Sequence, residues 1–110
     1  MKKFFLIAGE PSGDLHGGKL IKAIKKHHPN SSFMGHGGNS MKNEGMRIIE
    51  HIDNLSIMGF AEVLRHLPRM IKIMGETLKA ISTSKPDRII LIDYPGFNLR
   101  LVKKLSYLNI

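Results

Sequence analysis

The sequence predicts an α/β domain in which helices cover both faces of a parallel sheet. Short apolar runs alternate with longer stretches in which apolar residues recur every three or four positions, the spacing of amphipathic helices. Several short runs are apolar at nearly every position, which is typical of parallel strands buried on both faces. The chain has 110 residues, of which 42% are hydrophobic and 24% charged, so it can form an ordinary globular core.

The first predicted strand and helix follow one another directly. Lys3–Ala8 is a short apolar run bounded by glycine and proline, and it predicts a buried strand. Asp14 can cap a helix over Leu15–His27. The apolar residues that share one face of this helix are Leu20, Ile21 and Ile24.

The next stretch predicts a second and a third strand. Ser32–His36 is predicted as a strand that enters the glycine pair at 37–38. Asn39 is expected to cap a short helix that extends to Glu44. Arg47–Ile49 predicts the third strand.

The second half of the chain contains the longest helical pattern. Apolar residues at spacings of three and four predict a helix over Phe60–Ile81, with a kink or a junction of two helices at Pro68. Arg88–Ile92 is a β-branched run with the character of a fourth strand. Asn98 is expected to cap a last helix over Leu99–Leu108. The residues predicted to face inward from it are Leu101, Val102, Leu105 and Leu108.

Composition restricts the classes of function. Seventeen Lys and Arg against nine Asp and Glu give a net charge of +8, which favours an anionic partner: nucleic acid, a phospholipid headgroup or a phosphorylated substrate. Aromatic residues make up 6% and form no stacking platform, so we rank a basic nucleic-acid-binding module lower, and a nucleotide-binding module also stays open. There is no cysteine, and no apolar stretch approaches the ~20 residues of a spanning helix. We therefore expect a cytoplasmic protein whose membrane contact is peripheral.

One segment imitates a phosphate-binding loop. Gly13–Lys19 matches G-x-x-x-x-G-K, but Leu20 follows where a magnesium-binding Ser or Thr is required. The acids Glu10 and Asp14 would also place negative charge beside the phosphates. No D-x-D pair and no group with metal-ligand spacing is present, so we expect neither a metal nor a cofactor.

Two loops that follow predicted strands carry acids, and open α/β sheets bind ligands beyond the carboxyl ends of their strands. Glu10 follows a buried strand, where desolvation would raise the pKa of its carboxyl toward acid–base use; the alternative is a solvated side chain. Asp14 is interpreted as a helix cap. Asp93 ends an apolar strand and could accept a proton from a hydroxyl, or it could simply bond the local backbone.

A basic, apolar segment precedes the polar break at 82–85. Arg65, His66, Arg69 and Lys72 flank an apolar stripe that is wider than one core face requires. Such a segment suits the headgroup region of an anionic membrane, although most apolar helical stripes are core. Both interpretations stay open at this point.

Five segments together resemble a known family. They are Ala8–Asp14 (AGEPSGD), Gly35–Gly38 (GHGG), Met58–Pro68 (MGFAEVLRHLP), Pro86-Asp87 (PD) and Ile92–Arg100 (IDYPGFNLR). Their order and sequence resemble the N-terminal part of bacterial lipid A disaccharide synthases, inverting glycosyltransferases of the GT-B fold. The resemblance covers essentially the whole chain, and it implies that residues 1–110 are part of the N-terminal, acceptor-side Rossmann-like domain.

The resemblance implies a reaction and its substrates. The family transfers a sugar from UDP-2,3-diacylglucosamine to 2,3-diacylglucosamine 1-phosphate, which gives UDP and the β-1′,6 disaccharide of lipid A. It works as a peripheral protein on the anionic cytoplasmic face of the inner membrane, without a metal motif. A second domain outside this chain would supply most contacts to UDP, so we expect the isolated 110 residues to be inactive.

The resemblance also implies roles for residues. Asp93 would be the general base for the acceptor 6-hydroxyl, and Glu10 the second acid of the site. The residues expected to bind or surround substrate are Ser12, Gly13, Gly37, Gly38, Asn98 and Arg100. The residues expected to contact lipid are Ile57, Met58, Phe60, Val63, Leu64 and Leu67.

Overall fold

The structure, a computed structural model, describes residues 2–54 and 67–108 and contains one parallel sheet in that part of the chain. The predicted α/β class is confirmed. Four strands lie in the order β3-β2-β1-β4. Their bounds are β1 Lys3–Ala8, β2 Ser32–Gly37, β3 Arg47–His51 and β4 Arg88–Ile92.

Helices cover both faces of the sheet. Apolar residues of the sheet alternate between the faces, so that Phe5 and Ile7 pack on one side and Leu6 and Ala8 on the other. The described helices are α1 Pro11–His27, α2 Asn39–Asn43, α3 Leu67–Ser84 and α4 Pro95–Tyr107. The first two pack on the Leu6 side, which we call the α1/α2 face, and the last two on the Phe5 side, the α3/α4 face.

The register of the sheet is set around β1. Ala8 pairs with Ile92 of β4, and Lys3 pairs with Ser32 of β2. The register between β2 and β3 shifts after Gly35, which has a φ of +147°. A Cβ there would lie 1.9 Å from the backbone oxygen of Leu6, so only glycine fits this irregularity.

Both helices that follow strand-end loops begin earlier than the sequence predicted. α1 begins at Pro11 instead of Leu15, and α4 begins at Pro95 instead of Leu99. Proline suits the first helical position because its φ is already helical and its missing N–H would have no intrahelical partner. The predicted caps are therefore wrong. Asp14 and Asn98 lie inside the first turns of their helices, and Asn39 is the first residue of α2, with Gly38 at the N-cap position.

Some residues predicted to face inward are exposed. Leu20, Val102 and Leu108 are exposed, whereas Ile21, Leu101 and Leu105 are buried as expected. The predicted helix over 60–81 is observed from Leu67 to Ser84, and its earlier part lies outside the described residues. Pro68 lies in the first turn of α3.

Candidate functional site

The candidate site lies where the strand order reverses. From β1 the chain continues to β2 and β3 on one side, and it then returns to place β4 on the other side of β1. The chain therefore leaves β1 toward one edge of the sheet, whereas β4 lies on the opposite side of β1. Open α/β sheets bind ligands beyond the carboxyl ends of two such neighbouring strands. Because Ala8 and Ile92 are paired, the loops that begin at Gly9 and Asp93 leave the sheet side by side.

The loop after β4 has an unusual backbone. Asp93 and Tyr94 have φ values of 49° and 51°, in the left-handed region that residues other than glycine seldom occupy. The Asn98 side-chain amide donates a hydrogen bond to the Asp93 backbone oxygen at 2.6 Å, which holds the turn from inside α4. The Asp93 side chain is exposed. Strained turns that are stabilised in this way concentrate at functional sites.

The loop after β1 contacts the loop after β4 through Tyr94. A Cβ on Gly9 would lie 2.3 Å from Cγ of Tyr94, so glycine allows the ring to lie directly over the backbone. Burial, and to a smaller extent the negative charge of Glu10, raises the pKa of the Tyr94 hydroxyl. The Glu10 charge therefore acts on the hydroxyl of Tyr94, the residue that follows Asp93. The Glu10 side chain is exposed, so of the two alternatives left open by the sequence the structure shows the solvated side chain.

The start of α1 lies over the junction of β1 and β4. A Cβ on Gly13 would lie 3.3 Å from Cβ of Ala8 and 3.4 Å from Cγ2 of Ile92, so the helix approaches both strands closely. Ser12, one residue earlier, is exposed. The resulting site has two exposed carboxylates and the N-terminal turn of a helix, groups that can accept a proton and bind an anion respectively.

Asp14 has a structural function that the sequence did not reveal. Its buried carboxylate accepts hydrogen bonds from the backbone N–H groups of Gly38, Ser40 and Met41, at 2.7, 3.0 and 3.0 Å. These groups belong to the first turn of α2, so α1 caps a different helix from the predicted one. The contact ties the loop after β1 to the loop after β2.

The glycine pair at the end of β2 packs closely against the residues of this contact. A Cβ on Gly38 would lie 2.7 Å from Oδ2 of Asp14, and one on Gly37 would lie 2.6 Å from Sδ of Met41. Both glycines are buried. The structure therefore gives them a packing role on the α1/α2 face, one strand away from the junction of β1 and β4.

Comparison with known proteins gives a consistent assignment. The model of the lipid-A-disaccharide synthetase family matches residues 4–110. The lipid-A-disaccharide synthase of Haemophilus influenzae (strain PittGG) is 45% identical over 101 residues, which cover 92% of this chain and 26% of that protein. The synthase of Chlamydia pneumoniae is 48% identical, with coverages of 92% and 17%, and that of Myxococcus xanthus (strain DK1622) is 38% identical, with coverages of 98% and 28%. The chain belongs to the lipid-A-disaccharide synthetase family.

The chain spans 17–28% of the length of these relatives. Membership of the lipid-A-disaccharide synthetase family confirms the resemblance found in the sequence and does not favour a basic nucleic-acid- or nucleotide-binding module. The segment Gly13–Lys19 that imitated a phosphate-binding loop lies entirely within helix α1.

The predicted lipid-contact residues fall mostly outside the described part of this family member. Ile57, Met58, Phe60, Val63 and Leu64 lie outside the described residues, and Leu67 is described only as the first residue of α3. Among the described residues, no helix combines the length and apolarity needed to cross a membrane.

Arg100 borders a groove between α3 and α4 that the sequence did not predict. The groove has a volume of about 520 Å³ and is lined mainly by apolar residues of the two helices. Tyr94 lines it as well, so the groove extends to the loop that carries Asp93. Asn98, in contrast, is buried beneath that loop, and its Oδ1 has no hydrogen-bond partner among the described residues.

His36 is another buried polar residue, and its burial was not predicted from the sequence. The Thr77 hydroxyl donates to the Ile73 backbone oxygen at 2.7 Å, so its oxygen accepts from Nε2 of His36 at 2.9 Å. The imidazole also packs against the ring of Phe97, with ring centroids 5.4 Å apart. Burial lowers the pKa of His36 to about 4, so the side chain is neutral at pH 7.

Proposed function

We propose that this chain forms the acceptor-side part of an inverting glycosyltransferase that makes the lipid A disaccharide. The acceptor is 2,3-diacylglucosamine 1-phosphate and the donor is UDP-2,3-diacylglucosamine. The acceptor 6-hydroxyl oxygen forms a bond to the donor anomeric carbon, and UDP leaves with the electrons of the bond that breaks. Membership of the family and the placement of two exposed carboxylates at the reversal of strand order support this proposal.

Asp93 is the proposed general base. It would take the proton of the acceptor 6-hydroxyl as the new glycosidic bond forms. The observation that carries this assignment is the left-handed turn at Asp93 and Tyr94, which presents an exposed carboxylate at the carboxyl end of β4. Glu10, the proposed second acid, follows the neighbouring strand and would orient the acceptor or share the proton.

The remaining contacts are proposed from position. Ser12 and the first turn of α1 lie beside the two acids, and Arg100 lies on the rim of the adjoining groove, where a guanidinium suits a phosphate. A second domain outside this chain would hold UDP. We also propose peripheral association with the anionic cytoplasmic face of the inner membrane, supported by the net charge of +8 and the apolar residues of segment 57–67.

The role of Asp93 is tested by Asp93→Asn in the full-length protein. The amide keeps the shape of the side chain but cannot take the proton, so we expect kcat to fall by about 10²- to 10⁴-fold. UDP release and disaccharide formation measure the loss, and circular dichroism checks the fold.

The matched control is Asp53→Asn. Asp53 is an exposed aspartate after β3, with 86% of its side chain accessible, and it lies away from the β1/β4 junction. We expect this variant to keep parental turnover. If Asp93→Asn also keeps it, Asp93 is not the base and the proposed mechanism is wrong.

A further inference from the structure

The groove between α3 and α4 has the chemistry of a binding site for an amphiphile. Its apolar lining includes Met70, Met74 and Leu78 from α3 and Phe97 from α4. Its volume of about 520 Å³ lies within the range of small-molecule sites, roughly 300–1,000 Å³. An apolar channel of this size fits a hydrocarbon chain.

The groove is open because two glycines lie along it. Gly75 of α3 and Gly96 of α4 both line the groove, and a Cβ at either would meet no atom of the described residues within 4 Å. Ile71, another lining residue, is 66% exposed. The two helices therefore leave apolar surface uncovered that a chain inserted between them would bury.

Positive charge is placed at one wall of the groove. Arg100 and Lys104 are one helical turn apart on α4, so their side chains share a face, and both line the groove. None of the described residues that line the groove is acidic. The groove thus combines an apolar interior with a cationic border, which complements a lipid that carries an anionic group.

The groove also adjoins the proposed reaction site. Tyr94 lines the groove and directly follows Asp93. A molecule with its chain between the helices and its anionic group at Arg100 and Lys104 would have its polar part beside the Asp93 loop.

We propose that the α3/α4 groove binds one acyl chain of the phosphorylated lipid substrate, with the phosphate held by Arg100 and Lys104. This inference rests on the proposed function for the identity of the substrate, and it assigns the acyl chain to residues other than the lipid-contact residues predicted from the sequence. Bulk membrane lipid and another part of the full-length protein are the competing occupants that the test distinguishes.

The test measures binding to the full-length protein by isothermal titration calorimetry. The probe is dodecanoyl lysophosphatidate below its critical micelle concentration, which has one acyl chain and one phosphate. Monododecanoylglycerol has the same chain without the phosphate. We expect the lysophosphatidate to bind the parental protein more tightly than the neutral lipid, and a parental protein that binds neither would overturn the proposal.

Gly75→Leu fills the groove from a helical position where the added side chain has space. We expect it to weaken lysophosphatidate binding about tenfold or more, because the chain loses the burial of several methylenes. Ile71→Gln, at a largely exposed lining position, is a second variant that removes apolar lining without disturbing the core. The matched control is Thr83→Leu, which adds leucine at an exposed position of α3 outside the groove.

The charge assignment is tested by Arg100→Gln combined with Lys104→Gln, with Lys103→Gln as the control at an exposed position between them. We expect the double variant to bind the lysophosphatidate more weakly than the parental protein does. Its binding of the neutral lipid should be unchanged. Equal affinity of parental protein and Gly75→Leu for the lysophosphatidate, with the fold intact, would overturn the proposal.

Two further measurements distinguish acyl-chain binding in the groove from membrane docking and from the proposed role of Asp93 as the base. Binding to anionic phosphatidylglycerol vesicles should survive Gly75→Leu; if it is lost in parallel with probe binding, the groove docks bulk membrane and the proposal is wrong. Asp93→Asn should bind the lysophosphatidate with parental affinity. If Asp93→Asn is active while Gly75→Leu loses the probe, the assigned base fails but the groove assignment stands.

Discussion

Among the described residues, each face of the sheet buries one titratable side chain, and the surroundings of the two side chains differ. On the α1/α2 face, Asp14 is surrounded by three backbone N–H donors that satisfy a carboxylate. On the α3/α4 face, His36 has one hydrogen-bond partner, and its Nδ1 has none among the described residues. The first arrangement gives a carboxylate its hydrogen-bond donors, whereas burial of the second side chain favours the neutral imidazole.

The two faces also differ in how closely their helices pack. On α1, a Cβ at Gly17 would lie 2.7 Å from Sδ of Met41, and one at Gly18 would lie 3.1 Å from the backbone oxygen of Ser40. On α3, a Cβ at Gly75 would meet no atom within 4 Å in the part of the chain that the structure describes. Glycine thus permits close helix contact on the first face and leaves a groove open on the second. The α1/α2 face fixes the loops, and the α3/α4 face leaves room for a ligand.

The largest expected effect on the free energy of unfolding comes from removing the buried carboxylate of Asp14. Asp14→Ala leaves the buried N–H groups of Gly38 and Met41 without their acceptor, so we expect a loss of roughly 4 kcal/mol in the free energy of unfolding. Urea unfolding measures the total loss. Hydrogen exchange at the Gly38 and Met41 amides gives a local measurement, and it should accelerate even under conditions where the sheet stays protected.

Asp53→Ala is the control for this prediction, because Asp53 is exposed and its removal leaves the cap of α2 in place. Gly38→Ala sharpens the comparison. Its Cβ would displace the Asp14 carboxylate, so its cost should shrink when Asp14 is already alanine. Unchanged exchange at Gly38 in Asp14→Ala would contradict the capping role.

The next effect is the pH dependence contributed by His36. Its pKa is about 4 in the folded protein and 6.5 without burial, so between these values the unfolded chain binds a proton that the folded chain excludes. This contribution is complete above about pH 6.5 and is lost as the pH falls toward 4. The free energy of unfolding should decrease by about 3 kcal/mol across that window.

Urea unfolding at a series of pH values tests this contribution. His36→Gln should flatten the decrease, because the glutamine side chain does not titrate. His28→Gln, at an exposed histidine, is the control and should keep the parental pH dependence. An identical pH profile for the parental protein and His36→Gln would show that His36 does not titrate as its burial implies.

The strands could be predicted well from the sequence because their signal is local. β1 and β4 begin and end where the apolar runs predict, and their parallel pairing follows from the alternation with helices. The caps could not be predicted in this way. Asp14 has the residue type and position of an N-cap for the helix that follows it, yet its partners lie 24 to 27 residues later.

In the candidate site, too, some features follow from the local sequence and others depend on contacts between distant segments. Asp93 and Glu10 are singled out by their positions after apolar runs, and the structure places their strands next to each other. The groove and the buried His36 depend on how α3 and α4 pack on the sheet, which is a relation between distant segments. The glycine spacing alone did not distinguish close contact at Gly17 from open space at Gly75.

The smallest expected effect comes from alanine substitutions that compare the space beside Gly75 with that beside Gly17. Gly75→Ala adds a methyl group to the interior of α3, where residues 2–54 and 67–108 place no atom within 4 Å of it. Only the loss of glycine's freedom in the unfolded chain remains, so we expect a gain of about 0.4–1 kcal/mol in the free energy of unfolding. In Gly17→Ala the same gain is opposed by overlap with the buried Met41, and the variant should be less stable than Gly75→Ala. Urea unfolding of both variants decides the order. If Gly75→Ala were the less stable of the two, the space beside Gly75 would be filled by another part of the protein, and the two faces would be equally close-packed.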